Sequence, residues 1–298
     1  MQTKNSKTKK SSWVLYILAA LLLLDGIVWY QIVQTTTPRG SAEIYFLDVG
    51  QGDSELIILP GGAKVLIDAG NPDGKVLKTL AEVLPPHDRY IDILFMTHPQ
   101  LDHFGGFIDV LKNYEVGAFI GNGRKGTAGA YPELIAELKR KGVSYVRLEE
   151  GDRILYGGAE MDILSPSGHN LLSAELNDTS LVTLLKDKNF RALFTADIGF
   201  NVESELMKKY DLSADILKVG QHGSRFSSGV EFLKAVNPKV AVIEVGKNNY
   251  GHPTPSALAR LKSATATAGQ AGAQVFSTLE FHTMRAIFDG ISLKILRH

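Results

Sequence analysis

The chain has 298 residues, of which 44% are apolar and 21% charged, so it is long enough to bury a sizeable core as one large or two small domains. Its 32 basic and 32 acidic residues cancel, which excludes bulk electrostatic attraction to nucleic acid as a property of the whole chain. It has no cysteine, which excludes disulfides, thiolate metal sites and a cysteine nucleophile, and leaves His, Asp and Glu as candidate metal ligands.

The N-terminus differs in composition from the rest of the chain. Several lysines within residues 1–12 precede an apolar stretch at 13–33, which as a helix is long enough to cross the roughly 30 Å core of a bilayer. Trp13 lies at one end and Trp29 and Tyr30 near the other, as is typical of aromatic side chains at membrane interfaces. The lysines predict a cytoplasmic tail at 1–12, a single-pass transmembrane anchor at 13–33 and an extracytoplasmic C-terminal domain at the cell membrane.

Two other interpretations of this stretch stay open. Its purest apolar run, at 14–24, has the length of a signal-peptide core, and a buried soluble helix would also be apolar. No convincing small-x-small cleavage pattern precedes Gln34. Asp25 inside the stretch is unfavourable in a bilayer unless it is paired or lies near an interface.

A polar segment with Pro and Gly at 34–41 predicts a linker, and the pattern from there on is globular, which predicts one domain at 42–298. Apolar runs between turn residues predict strands at 43–49, 54–59, 63–67, 91–96, 116–120, 160–164, 180–185, 191–195, 216–219 and 240–245, with two or three more within 274–296. Apolar spacing of 3.6 predicts helices at 75–84, 104–113, 132–141, 201–209, 230–236 and 256–266. Strands with helices interspersed in both halves predict an α/β fold in which two sheets carry helices on their outer faces.

The segment 97–106 follows a predicted buried strand and is rich in metal-ligand types. His98 and His103 can offer neutral imidazole nitrogens and Asp102 a carboxylate oxygen, a set that suits zinc, manganese or iron. The alternative is a polar loop whose histidines only form hydrogen bonds. Two histidines and one aspartate so close together favour the metal site.

Three later strands end in residues of the same character, namely Asp197, His222 and His252. In layered α/β folds the loops beyond the strand ends converge on a site. We therefore predict Asp197 and His222 as further metal ligands, with His252 as a polar group nearby. Asp197 could instead cap the helix that follows it, and His252 could be an ordinary turn residue.

A series of motifs resembles the metallo-β-lactamase-like domain of ComEC-type DNA-internalisation competence proteins. In chain order they are DVGQGDS at 48–54, IDAG at 67–70, THPQLDHFGG at 97–106, NDTSLV at 177–182, FTADIG at 194–199, KVGQHGS at 218–224 and YGHPTP at 250–255. The resemblance covers residues 42–298 and implies a four-layer αββα metallo-β-lactamase sandwich with a metal site at one edge. It does not extend to the channel part of those proteins, so a DNA channel is not predicted.

Three positions depart from the family pattern. The superfamily motif is H-x-H-x-D-H, and competence-type domains often have Asp at the second ligand position, where this chain has Gln100. The superfamily often has His in the region of Asn177, and its members commonly read HHGS where this chain has Gln221 before His222. A neutral carboxamide is a weaker ligand than a carboxylate, so one metal position is expected to be weakened.

The resemblance implies two metal positions of unequal strength. One is intact and consists of Asp102, His103, His222 and a bridging Asp197. The other is held by His98 and Asp197. One or two divalent ions, zinc or manganese, are therefore expected as the cofactor.

The resemblance also implies roles for neighbouring residues in phosphodiester hydrolysis. Asp102, Lys218 and His252 are predicted to be catalytic, with Lys218 holding phosphate oxygens and His252 protonating the leaving oxygen. Asn177, Ser180 and Ser224 are predicted to bind the substrate. Lys218 could alternatively be a solvated strand end, and Ser180 an ordinary strand residue.

Two classes of function follow. The first is a membrane-anchored metal-dependent phosphodiesterase or nuclease that acts outside the cytoplasm on DNA, with single-stranded DNA as a candidate substrate. The second is a metal-poor binding or scaffold domain, which Gln100 and Gln221 favour. A hydrolase of another ester class also stays open, because fold alone does not determine function. Arg124 and Lys125 are candidates for a phosphate-steering loop or a solvated turn.

Overall fold

The computed structural model describes residues 12–36, 40–263, 272–288 and 291–298, which belong to two compact units divided after Arg39. In the first unit, helix α1 covers Ser12–Thr36, and its side chains are described at 13–29, where they are exposed. No helix among the described residues combines the length and the apolarity needed to cross a membrane. The anchor predicted at 13–33 is therefore not confirmed, and nearly all of the tail predicted at 1–12 lies outside the described residues.

The second unit, from Gly40 on, consists of two sheets with helices on their outer faces. Its strands are β1 (Glu43–Phe46), β2 (Glu55–Ile58), β3 (Lys64–Ile67), β4 (Tyr90–Phe95), β5 (Glu115–Gly121), β6 (Ser144–Arg147), β7 (Arg153–Tyr156), β8 (Ala159–Ser165), β9 (Val182–Lys186), β10 (Arg191–Phe194), β11 (Ile216–Lys218), β12 (Val240–Ile243), β13 (Gln274–Ser277), β14 (Met284–Phe288) and β15 (Leu293–Arg297). Its helices are α2 (Lys75–Val83), α3 (Leu101–Phe104), α4 (Phe107–Asn113), α5 (Tyr131–Lys141), α6 (Phe200–Lys209), α7 (Val230–Val236), α8 (Pro255–Ser263) and α9 (Thr278–Phe281). Short 3-10 turns cover Asn170–Leu172, Leu176–Thr179 and Gly220–Gly223.

The first sheet has the order β15-β14-β1-β2-β3-β4-β5-β6, and the second has the order β13-β12-β11-β10-β9-β8-β7. Strands β3 to β6 are parallel to one another, and so are β10 to β13. Strands β2 and β3 are antiparallel and are joined by a turn at Gly61 and Gly62. In each sheet the carboxyl ends of the parallel strands therefore meet at one edge, where the predicted ligands follow them.

Alternation of side chains along the strands divides the core into three layers. In β1, Ile44 and Phe46 face the second sheet, whereas Tyr45 and the following Leu47 pack against helices α2, α4 and α5. On the far side, residues such as Leu193 pack with helices α6, α7 and α8. Because both faces of the central strands are buried, the sequence of these strands is a nearly continuous run of apolar residues. The four-layer αββα arrangement predicted from the sequence is confirmed.

Two differences from the prediction have physical causes. The helix predicted at 104–113 begins at Phe107 as α4, and α3 is a separate short helix before it. The Gly106 amide donates to the Gly70 carbonyl oxygen at 2.9 Å instead of continuing the hydrogen bonds of α3, and a Cβ at Gly106 would lie 2.0 Å from the Ala69 carbonyl oxygen. This close approach seats α3 at the sheet edge. Strands β6 and β7 were not predicted, since their side chains are largely exposed and carry little apolar alternation.

Candidate metal centre

The five predicted metal ligands come together at one edge of the two sheets. His98 follows β4, Asp102 and His103 lie on α3, Asp197 follows β10 and His222 follows β11. Asp197 Oδ2 lies 3.5 Å from His103 Nε2 and 3.5 Å from His222 Nε2. Asp102 Oδ2 lies 3.5 Å from His222 Nε2, and the ring centroids of His98 and His103 are 4.1 Å apart.

The imidazole nitrogens in this cluster fit a bound metal. Nε2 of His98, His103 and His222 is buried and has no hydrogen-bond partner among the described residues, and the same holds for Asp197 Oδ1. Buried polar atoms nearly always have a partner, so the convergence of several unpartnered atoms fits their use as ligands of a common ion. Ligand atoms lie within 4.8 Å of one another in the set His98, His103 and Asp197 and in the set Asp102, His103 and His222. Imidazole and carboxylate donors at this spacing suit zinc or manganese.

The other ring nitrogens of His98 and His103 are held by a shared network. Asp68 accepts a hydrogen bond from His103 Nδ1 at 2.7 Å and another from Thr97 Oγ1 at 2.6 Å. Because that hydroxyl donates its hydrogen to Asp68, it accepts from His98 Nδ1, 3.0 Å away. Both rings then carry their hydrogen on Nδ1 and present a free lone pair on Nε2, the tautomer that a metal needs.

His222 is oriented from beneath by two groups. Its Nδ1 lies 2.9 Å from the Glu244 carbonyl oxygen, to which it donates, and 3.1 Å from Asp53 Oδ1. The turn that carries His222 is strained, since Gln221 (φ 48°) and His222 (φ 52°) both have left-handed backbone conformations. Strain of this kind persists only where surrounding contacts hold it, and it is concentrated at functional sites.

The charges in the cluster favour a cation between the ligands. Burial lowers the pKa of His98 to about 4, with a further contribution from His103, so His98 is neutral at pH 7. Burial alone would lower the pKa of His103 and of His222, but Asp197 and the other nearby carboxylates raise both well above the usual range. Burial raises the pKa of Asp102, but His103 and His222 bring it down to about 2. The carboxylates therefore stabilise positive charge in the cluster. A bound divalent ion would supply that charge in place of the protons on His103 and His222.

A cleft of about 480 Å³ opens over this cluster. It is lined by Gln51, Asn71, Gln100, Leu101, Asp102, Asn177, Asp197, Gln221, His222, Tyr250 and His252. Gln100 Nε2 donates to Asn177 Oδ1 at 2.5 Å, so these two predicted positions are adjacent. His252 also lies in the cleft, and burial, together with the charge of His222, lowers its pKa. At neutral pH His252 is therefore an uncharged imidazole beside the metal cluster.

Lys218 does not reach this cleft, so its predicted contact with substrate phosphate is wrong for this structure. Its side chain is fully buried and forms an ion pair with Asp53. Its ammonium also donates to the Ala196 carbonyl oxygen at 3.1 Å and lies 3.9 Å from Asp197 Oδ1. Lys218 lies beneath the cluster and offsets buried negative charge there.

Two predicted substrate residues and one predicted steering residue are also placed elsewhere. Ser180 is fully buried, and Ser224 is buried with its Oγ accepting from the Phe226 amide. Neither lines the cleft. Arg124 donates to the carbonyl oxygens of Leu171 and Ser173, so it anchors a loop instead of facing a ligand.

A group of buried carboxyls beneath the cluster was missed from the sequence. Asp53, Glu55 and Glu244 lie within 4.8 Å of one another and close to Lys218. Burial and the neighbouring carboxylates raise the pKa of Glu55 well above its usual range, and burial with Asp53 raises that of Glu244 to about 7. The sequence did contain a signal for this group, namely acidic residues within apolar runs that form strands. Acidic side chains are rarely buried in a core unless they have a partner. Asp68, at the end of β3, carried the same signal.

Comparisons with known proteins find sequences and folds that are similar to this chain. Residues 47–246 match the sequence model of the metallo-beta-lactamase superfamily. ComE operon protein 3 of Bacillus subtilis is 29% identical over 266 residues, which cover 82% of this chain and 34% of that protein. Recombination protein 2 of Haemophilus influenzae is 31% identical over 254 residues, which cover 82% of this chain and 30% of that protein. The chain thus spans about a third of the length of these curated relatives.

Solved structures share the fold at low identity. The metallo-beta-lactamase fold protein YhfI of Bacillus subtilis superposes with a TM-score of 0.55 at 12% identity, covering 82% of this chain and 100% of that one. CmlA, a diiron beta-hydroxylase from Streptomyces venezuelae, gives a TM-score of 0.53 at 15% identity, covering 87% and 55%. At such identities the likeness concerns the fold alone.

Proposed function

The chain belongs to the metallo-beta-lactamase superfamily, and on that premise we propose that it is a metal-dependent phosphodiesterase that cleaves DNA outside the cytoplasm. The observation that carries the proposal is the convergence of three unpartnered Nε2 atoms, from His98, His103 and His222, with the carboxylates of Asp102 and Asp197. Asp102, Asp197 and His222 line an open cleft large enough for a small ligand or part of a polymer, and His98 and His103 are fully buried next to them.

The residues in the cleft divide into those that hold an ion and those that handle substrate. Asp102, His103, His222 and Asp197 would hold one ion, and His98 with Asp197 a second. When bound, a divalent ion supplies hydroxide at neutral pH and polarises the scissile phosphoryl oxygen. Asp68 and Thr97 keep the imidazole lone pairs available, and Asp53 and Glu244 orient His222. His252, uncharged at neutral pH, would accept a proton in the cleft, whereas the predicted role of proton donor to the leaving oxygen would need its charged form.

Support for a phosphodiester comes from the polar lining of the cleft and from the relatives. The cleft presents carboxamide side chains at positions 51, 71, 100, 177 and 221, which can donate hydrogen bonds to phosphate oxygens without adding charge. The relatives include proteins named for competence and recombination, ComA of Neisseria gonorrhoeae and recombination protein 2. These names favour DNA over carboxylic esters or lactones as the substrate class.

One observation favours a second candidate, a binding or scaffold domain with a weakened metal site. Gln100, at the second ligand position of the motif, is neutral and is hydrogen-bonded to Asn177. A domain of this kind would bind DNA without cutting it. Binding without metal-dependent cleavage would distinguish this candidate from the hydrolase.

Replacing Gln100 with aspartate is expected to tighten the weaker metal position. The variant Gln100→Asp places a carboxylate beside Asn177. It would add a charged ligand to the weaker metal position, which otherwise has only His98 and Asp197, and should raise the affinity for a second divalent ion at least roughly 10-fold. Calorimetric titration with manganese measures this. Gln51→Glu is the matched control, since it adds the same charge to the cleft while its own Oε1 is engaged by the Gly246 amide. Equal tightening in both variants would contradict a specific ligand position at 100.

Attachment to the membrane is a further part of the proposal. It is supported by the lysines that precede the apolar stretch 13–33. Protease added to intact cells is expected to digest the domain at 42–298. Full protection of the domain would place it on the cytoplasmic side and overturn the proposed location.

The activity itself is tested with a panel of substrates and the full chain. Single-stranded DNA should be cut in the presence of manganese or zinc, whereas a β-lactam, a lactone and a carboxylic ester should be poor substrates. Preferential hydrolysis of any of these three would refute the phosphodiesterase assignment. It would not contradict the proposal that the cluster binds a metal.

A further inference from the structure

Two aromatic side chains beside the metal cleft are unusually exposed. Tyr250 is 76% exposed and Phe226 57% exposed, the highest values for any aromatic residue among the described residues of 40–298. Tyr250 lines the 480 Å³ cleft over the candidate metal cluster and lies against His252, with ring centroids 5.9 Å apart. Exposed aromatic rings are energetically unfavourable in water, so their concentration around one site points to a ligand.

Phe226 borders a second cleft, which lies next to the first. This cleft has a volume of about 350 Å³, and Phe200 and Phe226 supply its apolar wall. Asn177 and Gln221 line both clefts, so the two clefts share a border. A polymer bound at the metal cluster would therefore have its neighbouring unit close to the aromatic wall.

The loop that presents Phe226 is held rigidly. Arg260 donates to the carbonyl oxygens of Ser227 at 2.7 Å and Ser228 at 2.9 Å. The buried carboxyl of Glu203 accepts hydrogen bonds from the amides of Ser228 and Gly229. A ring that is fixed in an exposed position loses little conformational entropy when a ligand stacks on it, which is the property of a preorganised binding site.

The chemistry of the cleft suits a nucleobase. The guanidinium of Arg225 lies 4.7 Å from the centroid of the Phe226 ring, so a cation is already stacked there. Glu175 and Asp178 line the cleft as well; their carboxylates would repel phosphate but can accept hydrogen bonds from the exocyclic amino groups of bases. An aromatic wall with acidic acceptors therefore fits the base and not the backbone of a nucleotide.

We propose that Phe226, with Phe200, forms a stacking subsite for one base of a single-stranded polynucleotide whose neighbouring phosphodiester lies at the metal cluster. The inference rests on the proposed phosphodiesterase function and specifies its substrate as an unpaired strand, because a base held in a duplex cannot reach the ring. Stacking on aromatic side chains is the usual way in which proteins bind single strands without reading sequence.

The test compares Phe226→Ala with Phe226→Trp on two substrates, using the full chain. Phe226→Ala is expected to raise KM for single-stranded oligodeoxyadenylate roughly 5- to 150-fold, the range that loss of one stacked base produces. It should leave KM unchanged for an abasic strand of the same length, and Phe226→Trp should retain the affinity for the adenylate strand. Tyr156→Ala is the control, because Tyr156 is also exposed, at 46%, and lines neither cleft.

A binding measurement separates this inference from the proposed activity. With metal withheld so that nothing is cut, a strand containing 2-aminopurine should lose fluorescence on binding to the wild-type chain and not on binding to Phe226→Ala. If the wild-type chain cleaves nothing but the quenching still depends on Phe226, the subsite stands and the hydrolase proposal fails. If Phe226→Ala quenches as the wild type does, or weakens binding of the abasic strand equally, the stacking subsite is refuted.

Discussion

The variant Asp197→Asn is expected to lose at least about 1000-fold in kcat on single-stranded DNA and most of its bound divalent metal. Asp197 Oδ2 lies 3.5 Å from Nε2 of both His103 and His222, and Asp197 also belongs to the ligand set that contains His98. It is therefore the carboxylate shared by both expected metal positions. Asparagine keeps the shape but removes the charge, so both ions lose a ligand at once.

The matched control for this variant is Asp215→Asn. Asp215 lies just before β11, at the edge of the sheet opposite to the cluster, and its carboxylate accepts a hydrogen bond from the Arg191 amide. Metal content measured by mass spectrometry and kcat measured in parallel should be unchanged in that variant. An Asp197→Asn protein that keeps wild-type metal content and kcat would show that Asp197 is not a ligand.

The second large effect concerns stability, since Lys218→Met is expected to lower the free energy of unfolding by about 3–5 kcal/mol. The ammonium of Lys218 is fully buried and paired with Asp53, and Glu55 and Glu244 lie in the same group of buried carboxyls. Methionine has a similar volume but no charge, so the buried carboxylate of Asp53 would lose its ammonium partner and keep His222, 3.1 Å away, as a close counter-charge. Urea denaturation of the metal-free chain, followed by circular dichroism, measures the loss.

An exposed ion pair and a double variant provide the controls. Lys239 pairs with Asp215 at 2.8 Å but is 76% exposed, so Lys239→Met should cost less than about 1 kcal/mol. Adding Asp53→Asn to Lys218→Met should recover part of the lost stability, because the uncompensated charge is then removed. A Lys218→Met variant as stable as Lys239→Met would contradict the assignment of Lys218 as the counter-charge of the buried cluster.

The cluster proposed as a metal centre was largely predictable because its residues follow the ends of strands. His98, Asp102 and His103 follow one strand directly, and Asp197 and His222 follow strands of the other sheet. Parallel strands bring their carboxyl ends to one edge whatever the rest of the sequence does. Motif order and this rule together were sufficient to place the five side chains near one another.

The error at Lys218 shows where sequence reasoning stops. Lys218 lies at a strand end next to the ligand-bearing turn, and the resemblance to a phosphodiester hydrolase led to the prediction that it holds substrate phosphate. Burial arises because Asp53, from a distant segment, packs beneath it when the two sheets meet. Such pairing across sheets leaves no local pattern in either segment.

The stacking residue Phe226 was missed for a related reason. In sequence it is one aromatic residue in a polar loop, and its exposure depends on hydrogen bonds from Arg260 and to Glu203, both far away in the chain. A sequence pattern indicates which side chains can be buried in a core. It does not indicate which apolar side chains the folded protein leaves exposed.

The central claim, that the converging imidazoles and carboxylates hold a catalytic metal, is tested most directly by one measurement on the full chain. The chain is equilibrated with zinc or manganese, freed of unbound ions, and assayed for metal content and for cleavage of single-stranded DNA, with and without a chelator. We predict at least one tightly bound ion per chain and cleavage that disappears on chelation and returns when the ion is restored. Absence of bound metal under these conditions, or cleavage that persists in the chelator, would contradict the claim.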